Sequence, residues 1–247
     1  MNCPDKSKST PVYKLGRISF AVEGCNQSFR TELDTLLPQS EEQAQEIVQS
    51  PSTLRTLQNQ IYEMHDDCLW MDAGCLLTPD GKKVLIIGRS GAGKSTTTMA
   101  LALAYDWKVL AEDILLIDYT KDILITFGAP FSLKPGTLEL LQDSIGRVPE
   151  PIINGEWSPL GPMVAPRDLK AHFDVSLVFT RDREHPSHKI TELSPAEFLR
   201  KCLPVSNVLR MKGAGEKLLE YVSKGVCVEI ADGTVQERIN KILELVS

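Results

Sequence analysis

Residues 88–95 read Gly88-Arg89-Ser90-Gly91-Ala92-Gly93-Lys94-Ser95, and no other stretch restricts the fold as tightly. The pattern is GxxxxGK[ST], a phosphate-binding loop. Its glycines let the backbone curl until several N–H groups converge on one anion. The helix that follows adds the positive end of its dipole at the same point. Such a loop works between a buried strand and a helix, and the sequence supplies both. Lys83 to Ile87 (KVLII) precedes it, and a helical run from about Gly93 to Ala104 follows. The spacing therefore predicts an α/β fold with the loop at a strand end.

The loop assigns phosphate binding to Gly88, Ser90, Gly91, Ala92, Gly93, Lys94, Ser95 and Thr96. Lys94 is the point charge for the β- and γ-phosphates, and the Ser95 hydroxyl is placed to ligate Mg²⁺. ATP and Mg²⁺ are the cofactors implied. A carboxylate must complete the metal site, and two candidates lie downstream. Glu112-Asp113 follows the strand signal Trp107 to Ala111 (WKVLA), and Asp118 follows Ile114 to Ile117 (ILLI). A right-handed crossover predicts that WKVLA lies parallel to the loop strand. Its C-terminal end then lies beside the phosphates. That favours Glu112-Asp113. Asp118 is expected in the turn of a hairpin formed by Ile114–Asp118 and Ile123–Phe127.

Asp72 is a third candidate. If Asp80-Gly81 is a two-residue turn, Leu77 faces Val84 and Asp72 faces Arg89. Asp72 then stands at the lip of the loop, or it is a surface aspartate on an edge strand. At the lip it would serve the metal, a transferred proton or the acceptor, because like charge beside a triphosphate is costly.

Elsewhere the signals are coarser. Residues 1–11 are a polar tail. Residues 12–66 read as a small α+β N-terminal lobe. In it, Val12 to Val22 has strand character, Ser40 caps a helix from Glu41 with Gln43 at its third position, and Leu54, Leu57, Ile61 and Met64 form a helical stripe. Residues 67–247 form the main domain. Within it, 149–166 is a long Pro/Gly-rich loop, and Val175 to Phe179 is a buried strand. Ser194–Glu197 and Thr234–Glu237 are capping boxes that open helices.

Composition excludes some classes. The chain carries 27 Lys+Arg against 33 Asp+Glu, a net charge of −6, which argues against nucleic-acid binding by bulk charge. No apolar run is long enough for a bilayer, and the N-terminus has no signal-peptide core. The six cysteines form no CxxC pair, so reduced thiols are expected. The expectation is a cytoplasmic protein with neither a membrane nor a nucleic-acid partner.

An aspartate-bearing strand, GRSGAGKS, a short helix and VLAED follow one another within about residues 70–113. This order resembles the catalytic domain of the HPr kinase/phosphorylase family. More closely it is similar to the shorter HPr-kinase-like proteins, including peptide-modifying kinases found with lasso-peptide biosynthesis. Gly128 to Leu141 (GAPFSLKPGTLELL) is similar to an R-P-x-S-L-K-like segment of that group, with Ala129 replacing Arg and Lys134 retained. The resemblance runs from about residue 70 to 142.

The resemblance implies a P-loop kinase core of HPr-kinase type, with a mixed sheet around the loop. It implies ATP-dependent phosphorylation of a serine hydroxyl on a peptide or protein. Glu112 and Asp113 take the place of the family's paired aspartates. Asp113 would join Ser95 on the metal, with Glu112 as acid/base group and Lys94 on the phosphates. Asp72 stands where the family usually has His. The longer signature tied to phosphorylase activity is absent, so dephosphorylation is not expected. The loop 149–166 is the candidate for substrate contact, with Arg167 as a charge clamp. A homo-oligomer stays open. So do two other readings: a small-molecule kinase for a sugar, polyol or amino acid, and a nucleotide-binding regulator without transfer chemistry.

Overall fold

A computed structural model describes residues 10–15, 18–37, 39–49, 51, 53–127, 130–150, 152, 155–157, 169–181 and 187–247. The chain divides into two compact units, Met1–Met64 and His65–Ser247.

In the first unit, β1 (Val12–Leu15) and β2 (Ile18–Glu23) form an antiparallel pair. The single strand signal over Val12 to Val22 is thus a hairpin. Helix α1 (Gln27–Leu36) follows, then β3 (Gln39–Ser40), β4 (Glu46–Gln49) and α2 (Leu54–Glu63). The sheet order is β3-β1-β2-β4. The helix expected from Ser40 does not form, because cross-strand partners claim its residues. Ser40 pairs with Val12. The Glu42 carboxylate accepts from Lys14 and from the Ser19 hydroxyl. Gln45 bonds the Ser19 backbone through its own N–H and its side-chain oxygen. A helix would forfeit all of these. The helices start instead at Asn26 and Thr53, whose side chains accept from Phe29 N and Thr56 N at 2.8 and 3.1 Å. Leu57 and Ile61 of the predicted stripe are fully buried.

The second unit opens with β5 (Leu69–Leu77), β6 (Lys83–Gly88), α3 (Lys94–Tyr105), β7 (Lys108–Ala111), β8 (Ile114–Asp118) and β9 (Ile123–Ile125). There follow β10 (Phe131–Ser132), α4 (Thr137–Ile145), β11 (Glu156–Trp157), β12 (Leu169–Lys170) and β13 (Val175–Thr180). It closes with β14 (Lys189–Leu193), α5 (Pro195–Cys202), α6 (Ala214–Val222), β15 (Val226–Ala231) and α7 (Val235–Val246). Both predicted capping boxes are present, at Ser194 and Thr234. The main sheet runs β12-β9-β8-β5-β6-β13-β15-β14, with β7 also paired to β5. Strands β6, β13 and β15 are mutually parallel and the other pairings antiparallel, so the sheet is mixed.

Alternation along the strands sends side chains to two cores. Leu85, Ile87 and Val178 join Phe198 of α5 and Leu218, Tyr221 and Val222 of α6. Val84, Ile86, Leu177 and Phe179 join Met99 and Leu101 of α3, Leu141 of α4, and Ile239 and Ile242 of α7. With helices on both faces, the central strands β6 and β13 carry unbroken apolar runs, Val84–Ile87 and Leu177–Phe179.

One topological expectation needs correction. The β5–β6 turn is not two residues long. Thr78 N donates to Lys82 O at 2.9 Å and Gly81 N to Thr78 O at 3.0 Å, with Gly81 left-handed at φ 91°. This longer loop shifts the register by one, so Leu77 pairs with Lys83 and Ala73 with Ile87. Strand β7 does run in the direction expected, parallel to β6, but it is not its neighbour. Strand β5 lies between them, antiparallel to both, so β7 keeps the direction of β6 one strand further away. The parallel neighbour of β6 is β13. The short hairpin claims the edge of β6 before the crossover returns.

Helix α3 approaches β5 closely at Gly74, where a Cβ would collide with the Thr98 hydroxyl. That hydroxyl is buried and makes no hydrogen bond among the described residues. Gly74→Ala should cost about 1–3 kcal/mol, the usual scale of overpacking. In a Thr98→Ala background most of that loss should vanish. Urea unfolding of the four variants of the cycle checks this, and equal cost in both backgrounds refutes the contact.

At the opposite end of β6, Lys83 Nζ lies 3.0 Å from His172 Nε2. Burial, then the Lys83 charge, lower the His172 pKa, while Asp174 opposes the shift. The unfolded chain takes up that proton more readily than the native one. Stability is therefore fully present above the ordinary histidine pKa of about 6.5 and is lost as pH falls through the depressed native value. The melting temperature of His172→Gln should fall less than that of the wild type between about pH 7 and pH 5.

Candidate functional site

Strand β6 delivers the glycine-rich loop at Gly88. A Cβ there would collide with the Phe179 carbonyl of β13, so only glycine lets the strands run this close. Ala92 N then donates to Arg89 O at 3.1 Å and closes a turn. Gly91 and Gly93 are left-handed, at φ 82° and 93°, a region glycine enters without penalty. Gly93 is the N-cap of α3 and supplies no side-chain cap. The N–H groups at the start of α3 therefore point out of the helix toward the loop with no hydroxyl or carboxylate cap over them. Together with the helix dipole they favour an anion at this end. Ser95 and Thr96 lie half-buried in the first turn.

Lys94 is only 8% exposed. Its Nζ donates to Gly88 O at 2.7 Å and lies 3.0 Å from Asp72 Oδ1. Asp72 therefore stands at the lip of the loop, and its carboxylate faces the lysine that the motif singles out.

The same stretch of β5 brings in the acidic pair. Strands β7 and β8 lie end to end along one edge of β5, with Ala111 opposite Cys75 and Ile114 opposite Asp72. Between them the chain makes a tight turn. Ile114 N donates to Glu112 O at 2.8 Å, and Asp113 has a left-handed φ of 69°. Asp113 O accepts from Ala73 N at 3.1 Å. The result is one long strand with a kink at Glu112-Asp113, a device that re-aims side chains beside functional sites. Glu112 is buried at 4% exposure while Asp113 is exposed, so the adjacent carboxylates occupy different environments. A left-handed aspartate costs on the order of 1–3 kcal/mol, which the surrounding pairing must hold.

Asp118 lies at the far end of β8. Its carboxylate accepts from Thr120 N and Oγ1 at 3.1 and 2.6 Å, which makes it the organiser of the hairpin turn. Lys134 is exposed in the turn that leads into α4. Gly128, Ala129 and Arg167 lie outside the described residues, as does most of 149–166. Of that segment, Glu156–Trp157 forms a strand paired with Phe131–Ser132. The described cysteines, Cys25, Cys68, Cys75, Cys202 and Cys227, are free thiols. Burial pushes Cys75 up to about 12, which keeps it protonated and inert. No group of three or more metal-ligating side chains occurs among the described residues. Nor is any described helix long and apolar enough to cross a membrane.

Sequence reasoning missed two features. A cavity of about 770 Å³ adjoins the loop from Gly88 to Ala92 and is bordered by Arg181, Arg200 and Lys201. Arg238 of α7 donates to Ala92 O across 146 positions of sequence. Neither has a local pattern. The Thr234 capping box locates the start of α7 but not what the helix packs against.

No protein-family model matches the chain, and no curated protein matches it. Among solved structures it is similar to the Hpr(Ser) kinase/phosphatase from Coxiella burnetii. That match has 15% sequence identity and a TM-score of 0.32, and covers 72% of this chain and 93% of that one.

Proposed function

We propose that the chain is an ATP- and Mg²⁺-dependent phosphotransferase that phosphorylates a serine-type hydroxyl on a peptide or protein. One observation carries this reading. The Lys94 ammonium is held between Gly88 O and Asp72 at the mouth of a glycine-lined bend, beside a helix start without a side-chain cap. An ammonium and a ring of backbone N–H groups at a helix start suit a polyphosphate. The peptide or protein acceptor is supported by the resemblance over residues 70–142.

The residues fit the cofactors. Gly91 and Gly93 take left-handed backbone angles in the bend, and the start of α3 has no side-chain cap, which leaves its N–H groups for phosphate oxygens. Ser95 and Asp113 are the candidate ligands of Mg²⁺, a hard ion that prefers oxygen and retains waters and phosphate oxygens. It needs no cage of three carboxylates. When bound, Mg²⁺ neutralises charge on the β- and γ-phosphates. Lys94 exchanges its contact with Asp72 for phosphate oxygens. Asp72 thus acts as a placeholder that keeps the ammonium in position before nucleotide arrives. Glu112, shielded from water, accepts the proton of the incoming hydroxyl. Catalysis of this kind is mostly positioning and charge neutralisation.

Transfer of label from γ-labelled ATP to a serine-containing peptide tests the reading. Lys94→Ala should lower the rate by about 100-fold or more while the chain stays folded. Near-normal transfer by that variant would reject the scheme. Label on a metabolite instead of a peptide would move the acceptor to the small-molecule class.

A further inference from the structure

Resting on the nucleotide-binding reading above, we infer that Arg238 is a positioning residue for phosphate, built into the back of the glycine-rich loop from the far end of the chain. The side chain is fixed from several directions. A left-handed turn at Asp232 and Gly233 leads into the Thr234–Glu237 capping box, which sets the start of α7. One position beyond the box, Arg238 is 5% exposed. Its Nε and Nη2 both donate to Asp232 O, at 3.0 and 2.9 Å. Its guanidinium carbon lies 4.5 Å over the Phe179 ring of β13. Its Nη1 donates to Ala92 O inside the loop. Any Cβ at Gly93 would collide with that same nitrogen.

Peptide geometry turns this contact into a function. The Ala92–Gly93 peptide is planar and trans, so its carbonyl and its N–H point in opposite directions. Holding Ala92 O toward α7 aims the Gly93 N–H away from α7. That sets the direction of one donor at the entrance to α3, next to the N–H groups of the first helical turn. The guanidinium also stays charged at any working pH. A fixed positive charge then sits one peptide unit behind the bend, where low dielectric strengthens its pull on an anion. A buried Arg satisfied here by carbonyl oxygens and an aromatic face is an expensive way to pack a helix. A hydrophobic residue would serve packing alone.

The test uses the full chain and isothermal titration with ATP·Mg²⁺ and with inorganic tripolyphosphate, which reads the loop without a nucleoside. Arg238→Met should bind both ligands about tenfold to 100-fold more weakly, the range of a hydrogen bond to a charged group. Arg238→Lys keeps the charge and one donor, and should fall between Met and wild type. Ile242→Ala is the control: it empties a buried position on the same helix, in the core that also holds Ala92. It should lower the melting temperature yet leave both affinities unchanged at a temperature where the chain is folded.

If Arg238→Met does not fold, Arg238→Lys decides, with binding several-fold weaker than wild type expected. Wild-type affinity in either folded Arg238 variant overturns the inference. So does an equal loss in Ile242→Ala, which would make the role of Arg238 merely structural. A wild-type chain that binds neither ligand would overturn the nucleotide reading itself, and this inference with it.

Discussion

The Lys94 ammonium, shared between the Gly88 carbonyl and the Asp72 carboxylate, is the contact on which this end of the molecule depends. A nearly buried cation is costly unless it is partnered. Its partners come from the two strands of one hairpin, so the register of β5 against β6 decides whether Asp72 reaches the ammonium. A shift of two residues would carry Asp72 past the end of β6. The pair is better understood as poise than as stability. Asp72 is only partly covered, and water and salt screen it. In the function proposed above, that is what lets a phosphate chain take the lysine over at modest cost.

Strand β5 is the shared support. Its second half pairs with β6 on one side and β7 on the other, and its first half pairs with β8. The change of partner falls at Asp72–Ala73, the point where β6 ends and the glycine-rich loop leaves the sheet. The kink at Glu112-Asp113 occupies the same level on the opposite edge. One break in regular pairing therefore gathers an aspartate, an acidic pair and a phosphate-type loop. The strained φ of Asp113 belongs to that break. Behind the loop, β13 and α7 fill the space where side chains at Gly88 and Gly93 would otherwise go.

Much of this was legible in the amino-acid sequence because the signals are local. The motif with its flanking strand and helix, the hairpin at Asp118 and both capping boxes depend on neighbours a few residues away. Asp72 was within reach because a hairpin ties distant positions together by counting, and a one-residue error in the turn did not move it off the lip. The helix expected from Ser40 failed for the converse reason. Its polar side chains have better partners across β1 and β2 than along a helix, and nothing local announces them. The order of β7, β5 and β6 was equally hidden, since strand adjacency is set by packing rather than propensity. Arg238 was illegible outright: a buried arginine and an exposed one look alike until the fold brings α7 behind Ala92.

The most direct measurement is the amide nitrogen–proton spectrum of the assigned chain during titration with ATP and Mg²⁺. If the loop grips the phosphates, the resonances of Gly91, Gly93, Lys94, Ser95 and Thr96 move together and saturate. The His172 region at the other end of β6 stays still. Saturable binding with those five amides unmoved, or no binding, would contradict a nucleotide site at this loop.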